Sequence, residues 1–178
     1  KREELDYQVV TGYYKDPAVY GVIKDYCNAL KVRKKLHNAI VGVLPFPCNQ
    51  MSTTYVDEFN IRKLYGVEYK YLEISRLYKE AQESNQEEID DFKQIIKEKG
   101  YIIEVDEKNF SEGIKYALAM EKIVKAENLN ILCINDIIEE MHSVVGLRPS
   151  LYNHRISEPG LVVAMEADIP AGIGMYIL

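Results

Sequence analysis

Three short apolar runs constrain this chain more than any other feature. Ala39–Leu44 (AIVGVL), Leu129–Ile134 (LNILCI) and Leu161–Met165 (LVVAM) are too brief for ordinary buried helices and rich in β-branched residues. A strand with one face in water alternates apolar and polar side chains, so a continuous apolar run reads as a strand covered on both faces. Between these runs the period changes to that of a helix. Asp16-Pro17 reads as a helix start, with Asp as N-cap and Pro at the first helical position. Val19, Ile23, Cys27 and Leu30 recur at helical spacing through Lys35. Lys31, Arg33, Lys34 and Lys35 fall in the last turns, where cations complement the helix dipole.

Further elements follow in order. Tyr55 to Tyr65 reads as a helix stopped by Gly66, with Ser52, Thr53 or Thr54 as its cap. Val67–Leu72 (VEYKYL) alternates as a strand with one exposed face does. Helical patterning then covers Glu73 to Gln82, Gln86 to Lys99, a long stretch opened by Asn109 or Ser111 and ending near Asn128, and Ile137 to Val145 before Gly146. Glu121 reads as a flank residue of the long helix, and Tyr101–Ile103 as a short strand or extended connection. Strands alternating with helices imply a parallel sheet with right-handed crossovers. The expected fold class is therefore α/β: a three-layer, open, mostly parallel sheet with helices on both faces, Rossmann-like but without a dinucleotide motif. Residues 1–178 read as a single α/β domain, with 1–15 as a linker or the end of a preceding domain. The start at Lys1 and the apolar ending Met175-Tyr176-Ile177-Leu178 suggest a piece excised from a longer protein.

Composition narrows the function classes. The net charge of -6 argues against a nucleic-acid partner, which favours basic faces. No apolar run reaches the length of a membrane span. Three widely spaced cysteines (Cys27, Cys48, Cys133), with no CxxC, indicate neither a disulfide framework nor a structural zinc site. Free thiols fit a cytoplasmic protein. No GxGxxG follows the first strand, and no GxxxxGK[ST], GxSxG or HExxH occurs anywhere. Cys48 has no histidine near it in sequence and is a weak nucleophile candidate. His142 reads as a satisfied or surface histidine and not a ligand, and Asp136 as the N-cap of the helix that follows it.

The positive signal lies at the end of the third run, in Glu166 and Asp168. Two carboxylates at i and i+2 can point the same way from a strand end. In open α/β sheets, ligands bind beyond the C-terminal ends of the strands. A carboxylate bordered by Val163, Ala164 and Met165 suits a general base, and a hard cation such as Mn²⁺ or Mg²⁺ favours carboxylate oxygens. Two carboxylates do not fill an octahedral shell, so further ligands would have to come from elsewhere. The bland alternative is that Asp168 caps a helix beginning near Pro170 and Glu166 is an ordinary strand-end charge.

The string Leu161-Val-Val-Ala-Met-Glu166-Ala-Asp168-Ile-Pro170-Ala171-Gly-Ile-Gly-Met175 resembles the active-site segment of the L-fucose isomerase-like sugar isomerases. Ala39–Leu44 with its proline-bearing loop, Tyr55-Val56-Asp57-Glu58, Leu64-Tyr65-Gly66-Val67-Glu68, Gly146-Leu147-Arg148-Pro149 and Glu158-Pro159-Gly160 are similar to that family's run into its catalytic strand. The resemblance spans most of the chain from about residue 16. It implies a domain of a metal-dependent aldose–ketose isomerase acting on an L-fucose- or L-arabinose-type sugar through an enediol. It also implies Mn²⁺ or Mg²⁺ as cofactor, Glu166 as catalytic residue and metal ligand, and Asp168 as a weaker metal ligand. The family's other ligands, an Asp and a His, would lie beyond Leu178, so the excised piece would be inactive alone. The parent is expected to be a homo-oligomer taking pocket residues from neighbouring subunits. The alternative is a non-enzymatic sugar-binding or regulatory α/β domain, and a small-molecule sugar is the expected partner in either case.

Overall fold

A computed structural model describes residues 7–151 and 160–178. Its four strands are β1 (Ile40–Leu44), β2 (Glu68–Tyr71), β3 (Ile131–Ile134) and β4 (Val162–Ala164). They form one sheet in the order β2-β1-β3-β4, every pair parallel. The helices are α1 (Pro17–His37), α2 (Glu58–Tyr65), α3 (Ile74–Gln82), α4 (Gln86–Glu98), α5 (Glu107–Glu127), α6 (Glu139–Val145) and α7 (Ile169–Ile177). The fold is a three-layer α/β sandwich, as the alternation of apolar runs and helical segments requires. Asn153, His154, Arg155 and the Glu158-Pro159 pair lie outside the described residues, as do residues 1–6 of the expected linker.

Strand pleating sorts the core into two layers. Leu44, Leu132 and Ile134 face α3, α5 and α6, where they pack with Leu77, Met120, Ile123 and Met141. Val41, Val43, Ile131, Cys133 and Ala164 face the other way, against Leu36 of α1, Ile61 of α2 and Ile169 and Tyr176 of α7. Helix α4 lies outside this sandwich, with Ile89 and Phe92 against Ile114 and Leu118 of α5. The two central strands are buried on both faces, which is why their sequences do not alternate. Edge strand β2 keeps the alternating EYKY pattern.

Several local expectations are corrected. Helix α2 is capped by Asp57, whose Oδ1 accepts from Asn60 N at 2.9 Å, and not by Ser52, Thr53 or Thr54. Those three residues form a short 3₁₀ turn, and the Thr54 hydroxyl donates to the Met51 carbonyl. Helix α5 opens on Asp106, three to five residues earlier than Asn109 or Ser111. In each case an aspartate stood close to the expected start, and its carboxylate reaches the third amide of the helix. Residues 101–103 form no strand. Glu121 is buried, paired with Lys125 one turn on. The apolar stripe of α1 is exposed from Tyr20 to Leu30, so most of that helix stands clear of the described domain.

Two contacts yield direct tests. Gly172 of α7 lies so close to β3 that an added Cβ would sit 2.9 Å from both Cys133 Sγ and Ile131 Cγ2. A Gly→Ala change in an open helix position gains up to about 1 kcal/mol. Here Gly172→Ala is expected to cost about 1–2 kcal/mol instead, because overpacking outweighs that gain; urea denaturation reads the sign. At the far end of α5, Glu127 accepts from Lys70 Nζ of β2 at 2.8 Å and from Arg76 Nη1 of α3 at 2.5 Å. The Lys70 hydrogen bond, then that of Arg76, holds the Glu127 carboxyl below the usual glutamate range. A depressed carboxyl stabilises the fold above the ordinary glutamate value and loses that contribution as pH falls through its lowered one. Glu127→Gln should therefore cost up to about 1 kcal/mol at neutral pH, the partners being partly solvated. The difference from the parent chain should vanish in acid, as melts at a series of pH values would show.

Candidate functional site at the C-terminal edge of the sheet

The chain leaves β1 for β2 on one side and then crosses to β3 on the other, so winding reverses between β1 and β3. That reversal opens the loops beyond the two strands, and ligands of open α/β sheets bind there. Four segments meet at this edge. After β1, a cis Leu44–Pro45 bond leads into the Pro45–Gln50 loop. After β3 come Asn135 and Asp136, both fully buried. After β4 the chain makes a tight turn through Met165, Glu166 and Ala167. The residues just after α6 contribute Arg148.

Asp136 joins these segments. Its Oδ1 accepts from the backbone N–H of Glu166 at 3.0 Å, and its Oδ2 accepts from Arg148 Nε. The neighbouring Asn135 donates its backbone N–H to the Leu44 carbonyl at 2.7 Å and its side-chain amide to the Phe46 carbonyl at 3.1 Å. Asn135 thus ties the loop after β1 to β3, and Asp136 ties the turn after β4 to the same strand. By its position in the sequence Asp136 is expected to cap the helix that follows. In fact α6 begins at Glu139 behind Ile138, with no side-chain cap, and Asp136 faces into the edge. The missed signal was positional: Asn135 and Asp136 follow a buried strand just as Met165 and Glu166 follow its neighbour, Cys133 being paired with Ala164.

The turn carrying Glu166 is unusual for its residue types. Glu166 has φ 60° and Ala167 φ 49°, both in the left-handed region. Non-glycine residues there cost on the order of 1 kcal/mol each. The Glu166 amide–Asp136 bond fixes the first of them, and burial of the Ala167 methyl group against the α1–α7 side of the core fixes the second. The turn also alters the expected geometry. Glu166 and Asp168 no longer lie on a strand, so the alternation that would have aimed them together does not apply. Asp168 is the N-cap of α7, its Oδ1 accepting from Ala171 N at 2.8 Å, as the bland reading had it. Glu166 is half-buried, and its carboxylate has no hydrogen-bond or ion-pair partner among the described residues.

The donor set tests the implied cation. Both oxygens of Asp136 are engaged and one of Asp168 caps a helix, which leaves Glu166 as the uncommitted carboxylate. Among the described residues, no group of three His, Cys, Asp or Glu side chains could hold a metal ion. These donors alone do not fit Mn²⁺ or Mg²⁺, each of which needs several more oxygens.

Other candidates stand apart from this edge. His142 is exposed on α6. Cys48 and Cys133 are buried, and burial, with a smaller contribution from Asp168, pushes the Cys133 thiol up to about 12, unsuited to nucleophilic work. Among the described residues no helix is long and apolar enough to cross a membrane. No protein-family model and no curated protein matches the chain.

Proposed function

We propose that this chain is the part of a metal-dependent aldose–ketose isomerase that supplies the proton-transferring carboxylate, Glu166. One observation carries the reading: a half-buried carboxylate without a partner among the described residues is held on a strained non-glycine turn at the ligand-binding edge of a parallel sheet. Backbone strain of this kind persists only where the surrounding structure holds it, and it clusters at active sites; a base must also meet its substrate C–H bond at a fixed distance. In this reaction Glu166 takes the proton from C2 of an aldose and the resulting carboxyl delivers one to C1 of the enediol. A second proton passes between the two substrate oxygens, so the interconversion is redox-neutral overall. A divalent cation, when bound, would polarise those oxygens; its other ligands would come from outside the described residues. Sugars of the L-fucose or L-arabinose type are the proposed substrates.

A second reading is favoured by Asn135, whose buried Oδ1 accepts no hydrogen bond among the described residues. Such an orphan acceptor calls for a donor, and a sugar hydroxyl could be one. In that reading the chain is a sugar-binding or regulatory domain without catalysis. The experiment is aldose–ketose conversion by the full-length protein with 6-deoxyhexoses and pentoses, with and without Mn²⁺, alongside calorimetry with the same sugars. Metal-dependent ketose formation supports the isomerase. Metal-independent binding without turnover sinks it and leaves the binding domain.

A further inference from the structure

Helix α1 carries an apolar stripe that its own domain leaves uncovered. Tyr20, Val22, Ile23, Tyr26 and Leu30 are between 39% and 56% exposed, and only Leu36, near the C-terminal end, is buried. Val19, at the other end, is half-buried against Gly12. Val19, Ile23, Tyr26 and Leu30 recur at alternating spacings of four and three, the seam of a coiled coil. Continuing the same spacing outward puts Arg33 at one end of the seam and Asp16 at the other, both exposed.

We propose that α1 pairs antiparallel with α1 of a second copy of this chain. The sequence is self-complementary about a two-fold axis passing between Lys24 and Asp25. Antiparallel pairing sets Val19 against Leu30 of the second copy, and Ile23 against its Tyr26. The next layer at each end joins Asp16 to Arg33 of the other copy. The interface is isologous, four apolar layers closed at both ends by an opposite-charge pair. A parallel pair would instead stack Arg33 on Arg33 and Asp16 on Asp16. Tyr20, Val22 and Cys27 flank the seam and widen the apolar contact. A cleft beside the C-terminal half of α1 is lined by Leu30, Lys34, Lys63 and Tyr65. The helix is about 31 Å long, so the pair falls near the small end of specific interfaces, and the association is expected in the micromolar range.

Sedimentation equilibrium of the chain at tens of micromolar should show a monomer–dimer equilibrium. Ile23→Asp with Leu30→Asp should weaken it by about 100-fold or more while leaving the melting temperature of the dilute chain unchanged, because neither side chain belongs to a core cluster among the described residues. Orientation is read by cysteine pairs in a Cys27→Ser background. A chain carrying both Val19→Cys and Leu30→Cys should oxidise to a covalent dimer. Val19→Cys alone should not, since antiparallel pairing separates the two copies of that residue by about 16 Å along the axis. A chain that stays monomeric at these concentrations, a dimer unaffected by the aspartates, or cross-linking by Val19→Cys alone would each overturn the proposal. None of these outcomes depends on whether Glu166 is catalytic.

Discussion

A Glu166→Gln variant should lose about 10³-fold in kcat for aldose–ketose conversion, the scale of a missing general base. Its melting temperature should match that of the parent chain. The two measurements belong together. The Glu166 side chain makes no hydrogen bond or ion pair among the described residues, whereas its backbone N–H holds Asp136 and is untouched by the change. Gln preserves size and shape, so a drop in turnover without a drop in stability isolates the proton-transfer role. Glu166→Gly separates the two properties further. Glycine accepts the left-handed conformation without a Cβ, so this variant should gain up to about 1 kcal/mol of stability while losing activity. Normal turnover in Glu166→Gln would end the isomerase reading. A gain in stability on Glu166→Gly would still identify a position where a side chain is held at a cost.

Replacing Arg148 by alanine should lower stability by about 3 kcal/mol, the usual cost of leaving a buried carboxylate without its cation. Asp136 is fully buried, while the Arg148 side chain is half exposed. The asymmetry gives the direction. Losing Arg148 strands a charge with one remaining N–H donor, whereas losing the Asp136 charge leaves a guanidinium that water can still reach. Asp136→Asn in the Arg148→Ala background should therefore recover part of the loss, and the double-mutant cycle should show coupling of more than 1 kcal/mol. For a domain of this size, 3 kcal/mol corresponds to a fall of about 10 °C in melting temperature. Additive effects in the cycle would mean that Asp136 and Arg148 do not act as a pair. Activity should fall in Arg148→Ala as well, because Asp136 orients the turn that presents Glu166.

The sheet was legible because its signal is local and repeated. Ala39–Leu44, Leu129–Ile134 and Leu161–Met165 each announce a doubly covered strand, and the helices between them leave few topologies open. Helix starts were less legible. Near α2 and α5 several capping residues stood within a few positions, and local sequence does not rank Asp57 over Ser52 or Asp106 over Asn109. Strand order lies further out of reach. That β1 sits between β2 and β3 depends on packing of side chains far apart in sequence, such as Ile131 against Val41 on one face of the sheet.

At the candidate site the division follows the same physics. From residue types and position alone, the chain declared a carboxylate at the end of a buried strand and a proline-led helix after it; both need only neighbouring residues. Tertiary structure decided that Asp136 leaves its own helix uncapped to hold the Glu166 amide, and that Arg148 closes the arrangement. Those bonds span 30 and 12 residues, and no periodicity records them. The left-handed turn at Glu166 and Ala167 has the same origin. Neither residue prefers it, so the conformation exists because the surrounding fold, and not the local chain, supplies the energy that holds it.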